Sequence, residues 1–177
     1  MKKTGVANDM LQPFLVLVCI CLVAAALLGV TYAKTEPVIK EMKIKAAEET
    51  RHAALPGSTT FTDVDCDLEA LGITGAFRED NGLGYVFMAA KKGYGGDVVI
   101  TLGLDEYGNI VGILADVSSE TQGVGTKVGV QAFLDQYIGA NPEAIDGVTG
   151  ATYSSTALKE GISSIISAFK AIKEAES

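Results

Sequence analysis

Residues 146–156 read Asp146-Gly147-Val148-Thr149-Gly150-Ala151-Thr152-Tyr153-Ser154-Ser155-Thr156, a run of hydroxyls interleaved with glycine. Beyond it the apolar residues Leu158, Ile162, Ile165, Ile166, Phe169 and Ile172 recur at spacings of three and four, which predicts one face of an amphipathic helix. The hydroxyls therefore fall at or just before a helix N-terminus. Unpaired backbone N–H groups and the positive end of the helix dipole converge there, favouring an anion such as a phosphate by roughly 0.3–1 kcal/mol or more. Gly147 and Gly150 would let the backbone turn tightly and approach a ligand closely. The same residues also suit a plain loop whose Ser and Thr cap the helix.

The elements that must hold this segment are legible upstream. Leu83–Ala90 and Asp97–Leu102 have the β-branched and aromatic content of strands, and a third strand is expected from Ile110 to Val117. The turn cluster Asp105-Glu106-Tyr107-Gly108-Asn109 makes the second and third an antiparallel hairpin. Val128–Ile138 reads as a short amphipathic helix, and Asn141-Pro142 opens the turn into the hydroxyl segment. Asp63–Gly75 fits helix or strand equally. Pro37–Ala54, rich in Glu, Lys and Ala, reads as a helix that Pro56-Gly57 ends. The sum is an α+β domain, an antiparallel sheet with packed helices, with no tandem repeat.

From Phe14 to Ala33 no residue is charged, enough at about 1.5 Å per residue to cross a hydrocarbon core of roughly 30 Å. The run exceeds the roughly 7–15 residues of a signal h-region, so a retained transmembrane anchor is expected rather than a cleaved leader. Cys19 and Cys21 within it read as apolar side chains facing lipid or another helix. Lys34, Lys40, Lys43 and Lys45 outnumber Lys2 and Lys3 before the span, which alone would keep the domain in the cytoplasm. That rule weakens when a long domain follows. The expected organisation is a tail at 1–13, a transmembrane helix at 14–33, a membrane-proximal helix at 34–55 and one domain at 56–177. A net charge of −8, from 14 basic and 22 acidic residues, argues against a nucleic-acid partner. Outside the span only Cys66 and His52 could serve as soft ligands, so no disulfide framework or His/Cys metal site can be built within the chain. Cys66, between Asp65 and Asp67, reads as a free or buried thiol, the alternative being part of an iron site shared with another subunit. His52 reads as exposed and inert.

Asp-x-x-Thr-Gly-Ala-Thr at 146–152 is similar to the motif that flavin transferases recognise in the FMN-binding domain family. Further matches lie in order upstream: Leu55-Pro56-Gly57, Lys92-Gly93-Tyr94-Gly95-Gly96-Asp97 and Ser119-Glu120-Thr121-Gln122-Gly123-Val124-Gly125. With the N-terminal span, these resemble the G subunits of Rnf complexes, the ion-translocating ferredoxin:NAD oxidoreductases, over nearly the whole chain. The resemblance implies FMN joined covalently to Thr152 through a phosphoester, with Asp146, Thr149, Gly150 and Ala151 completing the attachment motif. It implies Tyr94, Glu120 and Thr121 near the flavin, and a domain outside the cytoplasm. It also implies a flavin transferase for maturation, and other Rnf subunits, with Fe–S and membrane flavin cofactors, as electron partners. The family's glycine loop reads Glu-Thr-Pro-Gly-Leu-Gly, and Gln122 and Val124 depart from it; losing the Pro frees a φ and restores an N–H. The Gly93–Gly96 run lacks the βαβ setting of a dinucleotide fingerprint, leaving a turn between strands or a flavin-lining loop. With neither an Fe–S cysteine pattern nor a nucleotide fingerprint, the chain reads as an electron-carrying subunit that is not catalytic alone. Two alternatives stand beside it: the C subunit of a sodium-pumping NADH:quinone reductase, for which this chain is short, and a flavin-free, membrane-anchored scaffold.

Overall fold

The computed structural model describes residues 5–64 and 71–176, so Cys66 and its acidic neighbours lie outside the described residues. Two compact units are present, Met1–Ala46 and Ala47–Ser177. Helix α1, Gly5–Ala54, accounts for the described part of the first unit. Every side chain from Pro13 to Thr35 is exposed, and among the described residues this is the one helix long and apolar enough to cross a membrane. Its Thr31 hydroxyl donates to the Leu27 carbonyl at 2.8 Å, so it needs no water partner.

The second unit is built on a five-stranded antiparallel sheet in sequence order: β1 Phe61–Asp63, β2 Ile73–Glu79, β3 Gly84–Lys92, β4 Asp97–Asp105 and β5 Ile110–Asp116. The expected hairpin is β4–β5. Its turn is tied by the Asp105 carboxylate, which accepts from the backbone N–H of Tyr107 and Asn109 at 2.9 and 2.8 Å. Alternation along the strands sends Tyr85, Phe87, Ile100, Leu102 and Leu104 to one face. There they meet Leu158, Ile162, Ile165 and Phe169 of helix α3, Thr152–Glu176, in the main core. The opposite face offers Val86, Phe77, Val111 and Leu114 to Ala54 and Leu55, where α1 ends. Val111 reaches that face through a bulge, since Gly103 pairs with Gly112 but Leu104 with Ile110. A side chain on Gly103 or Gly112 would overlap the Ala54 carbonyl, so glycine at both positions lets the chain lie flat on the middle of the sheet.

One expectation needs correction. Residues 128–138 are not one helix: a 3₁₀ turn at Gly125–Gly129, helix α2 at Gln131–Leu134 and a second 3₁₀ turn at Asp135–Tyr137 follow one another. Val130 is extended, with φ −69° and ψ 124°, and breaks the helix while Val128, Leu134 and Tyr137 still reach the core. The ambiguous 63–75 stretch ends in β2, where Ile73 and Ala76 bury against the sheet's main face.

Candidate functional site

Helix α3 begins at Thr152, within the hydroxyl run. The Ala151 carbonyl accepts the first intrahelical bond, from Ser155 N at 2.8 Å, and so Ala151 occupies the N-cap. Its methyl group has no acceptor to offer, which leaves the N–H groups of the first turn to an outside acceptor. The hydroxyls thus lie inside the first turn, and helical phase sorts them. Ser154 and Ser155 point inward and are buried, whereas Thr152, Tyr153 and Thr156 are exposed. Ser155 Oγ accepts from Val148 N at 2.9 Å, pinning the loop back onto the helix. Between them the Ala151 N–H closes a turn on Val148 at 3.0 Å. Gly150 sits in that turn at φ +83°, a conformation costly for any residue with a Cβ.

Glu120 joins this helix to the two upstream loops. Its carboxylate is 5 % exposed and accepts four bonds. Tyr94 N and Ser154 Oγ donate to Oε1 at 2.9 and 3.0 Å, and Gly95 N and Thr121 N to Oε2 at 3.0 and 3.3 Å. Burial alone would raise its pKa; the bonds from Gly95, Ser154, Tyr94 and Thr121 outweigh burial and hold it below the usual carboxylate value. The Gly93–Gly96 run is the β3–β4 turn, closed by Gly93 N donating to Gly96 O at 2.8 Å. Thr121 lies against it, its N–H 2.8 Å from where a Cβ on Gly95 would sit. In the glycine loop Val124 N donates to Thr121 O at 3.2 Å, with Gly123 at φ +76°. Gln122 therefore holds the second turn position, which also accepts proline.

Thr152 stands on the ridge between two clefts. One, about 410 Å³, is lined by Tyr94, Val124, Gly150, Ala151, Thr152, Tyr153 and Ser154. The other, about 340 Å³, is lined by Gly147, Val148, Thr149, Thr152, Ser155, Thr156 and Lys159. The first is aromatic, the second rich in hydroxyls with one cation on its rim. The structure thus brings Tyr94, Gly150, Ala151 and Thr152 to one cleft and Thr149 and Thr152 to the other. Glu120 and Thr121 stand behind the Tyr94 loop, and Asp146 is exposed one residue before Gly147. Sequence reasoning singled out neither Tyr153 nor Lys159 as a site residue. Helical phase counted from Thr152 would have found Lys159, seven residues and two turns on. His52 is exposed, as expected, and its Nδ1 pairs with Ser58 Oγ at 2.8 Å. Among the described residues no group of His, Cys, Asp or Glu could hold a metal ion.

Comparison with known proteins bears on this arrangement. Residues 93–167, from the β3–β4 turn well into α3, match the FMN-binding domain. The chain is 25% identical to the G subunit of the ion-translocating oxidoreductase complex of Methanosarcina acetivorans, over 90% of this chain and 94% of that protein. It is 27% identical to the G subunit of the Na(+)-translocating ferredoxin:NAD(+) oxidoreductase complex of Acetobacterium woodii, over 88% and 89%. To the G subunit of the proton-translocating ferredoxin:NAD(+) oxidoreductase complex of Clostridium ljungdahlii it is 21% identical, over 80% and 82%. Along most of its length the chain is therefore similar to these G subunits, and residues 93–167 match the FMN-binding domain.

Proposed function

We propose that this chain is a membrane-anchored, electron-carrying subunit of an ion-translocating ferredoxin:NAD oxidoreductase, holding FMN through a phosphoester to Thr152. The observation that carries the reading is the placement of Thr152: exposed, first residue of α3, last residue of the attachment motif, and shared by both clefts. The donor set suits the group. An uncapped helix N-terminus, the hydroxyls of Thr149 and Thr156 and the Lys159 ammonium favour a phosphate on the polar side, while the aromatic cleft is of a size that accepts a planar ring system. Bound flavin supplies reversible electron acceptance, tuned by the surrounding hydrogen bonds and dielectric.

Asp146, Thr149, Gly150 and Ala151 present Thr152 to the transferase, and Tyr94, held from behind by Glu120 and Thr121, forms the wall opposite. Helix α1 anchors the chain through its uncovered apolar segment, with the domain outside the cytoplasm. A covalent link there prevents loss of a cofactor that the surroundings do not replenish. Fe–S and membrane flavin subunits of the complex supply the donor and the acceptor.

Full-length chain produced with a flavin transferase tests this by intact mass and by in-gel fluorescence after denaturation. Wild type is expected to gain one FMN less a water. Thr152→Ala should carry none, and Thr152→Ser, which keeps a hydroxyl, should retain part. Equal label in wild type and Thr152→Ala would move the attachment elsewhere; no label in wild type despite an active transferase would leave a scaffold.

A further inference from the structure

Tyr153 and Tyr94 are large aromatics left 72 % and 69 % exposed. They come from different elements, yet both line the 410 Å³ cleft beside Thr152, and their rings meet with centroids 6.1 Å apart at a tilt of 40°. The two supports differ. Tyr94 rides on a turn whose backbone N–H groups are clamped by the buried Glu120 carboxylate, and Tyr153 sits in the first turn of α3, on the residue after Thr152. A centroid spacing of 6.1 Å is too small for a third ring to enter between them, since two contacts at about 3.5 Å each need roughly 7 Å. An aromatic occupant must therefore lie on an outer face of the pair.

We propose that Tyr153 is the stacking partner of the flavin ring, with Tyr94 as its fixed buttress. This rests on attachment at Thr152. A ring tethered through the neighbouring residue is held near Tyr153 at high effective concentration, so even a modest contact is well populated. Offset or tilted ring contacts of this kind shift an equilibrium by about 2- to 10-fold. Tyr153 is thus a positioning residue for the cofactor, outside the set of residues that make the bond.

The test is flavin emission per bound flavin, for full-length chain in detergent, measured in the native state and again in urea. Contact with an electron-rich phenol ring quenches flavin emission, so the native wild type, with the stacked form favoured at least about 2-fold, is expected to be clearly dimmer than the unfolded chain. Tyr153→Ala should abolish most of that difference. Tyr94→Ala, outside the attachment segment, should reduce it, and Tyr107→Ala, on the exposed β4–β5 turn, should leave it intact. A wild type equally bright in both states overturns the proposal, as does a native Tyr153→Ala or Tyr94→Ala as dim as wild type. Quenching that arises only when the other subunits are present also overturns it and assigns the cleft to a partner's surface. Absence of flavin from wild type is a different failure, read on the denaturing gel, and falls on the attachment at Thr152.

Discussion

Glu120 carries a charge into a place where charge is costly, and four donors from three segments make it tolerable. Glu120→Gln keeps the shape but turns an amide NH₂ toward groups that are themselves donors. We expect it to cost about 1–3 kcal/mol of folding stability, measured by urea unfolding, and to lower flavin loading by freeing the Tyr94 turn. Glutamate at 120 was legible in the glycine-loop motif, but its role was not. The motif put it near the flavin; the structure shows its carboxylate turned inward, toward the two loops and Ser154. What hid this is that the donors are mostly backbone N–H groups, which every residue has and no motif records.

At the scale of elements, the β2–β3 turn depends on a second buried acid. Glu79 accepts from Leu83 N at 3.1 Å, from Asn81 N at 2.8 Å and from Thr59 Oγ1 at 3.1 Å. Burial opposes its charge, but these bonds prevail and lower its pKa from 4.5 to about 2. Because the folded value lies below the unfolded one, its contribution is fully present above about pH 4.5 and is lost as pH falls toward about 2. Glu120 acts in the same direction. Urea titrations across that window should show stability falling with pH, and Glu79→Gln should flatten the fall. On the sheet's other face, Gly103→Ala should push the Ala54 carbonyl off the strand, at about 1–3 kcal/mol or more, read in the same assay. Strands β3 to β5 were readable because each is a long run of β-branched and aromatic residues. Strand β2 was not, because Gly75 and Ala76 dilute its signal, and its pairing with β3 supplies what propensity lacks. The broken helix at 125–137 escaped for a related reason: 3₁₀ and α turns repeat apolar residues at similar spacing, and only the extended backbone at Val130 separates them.

For the molecule as a whole, composition alone made the apolar N-terminal run conspicuous, and α1 leaves it uncovered. Full-length chain is expected to stay with membranes through salt and carbonate washes, and Leu22→Lys combined with Val23→Lys should release it to the soluble fraction. The walls of the two clefts beside Thr152, by contrast, come from residues 94, 124 and 147–159, with Glu120 tying Tyr94 to Ser154 behind them, segments far apart in sequence that meet only after the sheet and α3 have docked. The unfolded chain therefore has the attachment motif but no pocket. Flavin held only by the clefts would report how many molecules are folded at the moment of measurement, since its binding is linked to folding. A phosphoester at Thr152 survives unfolding, so it would instead keep a lasting record of which chains have ever met the transferase.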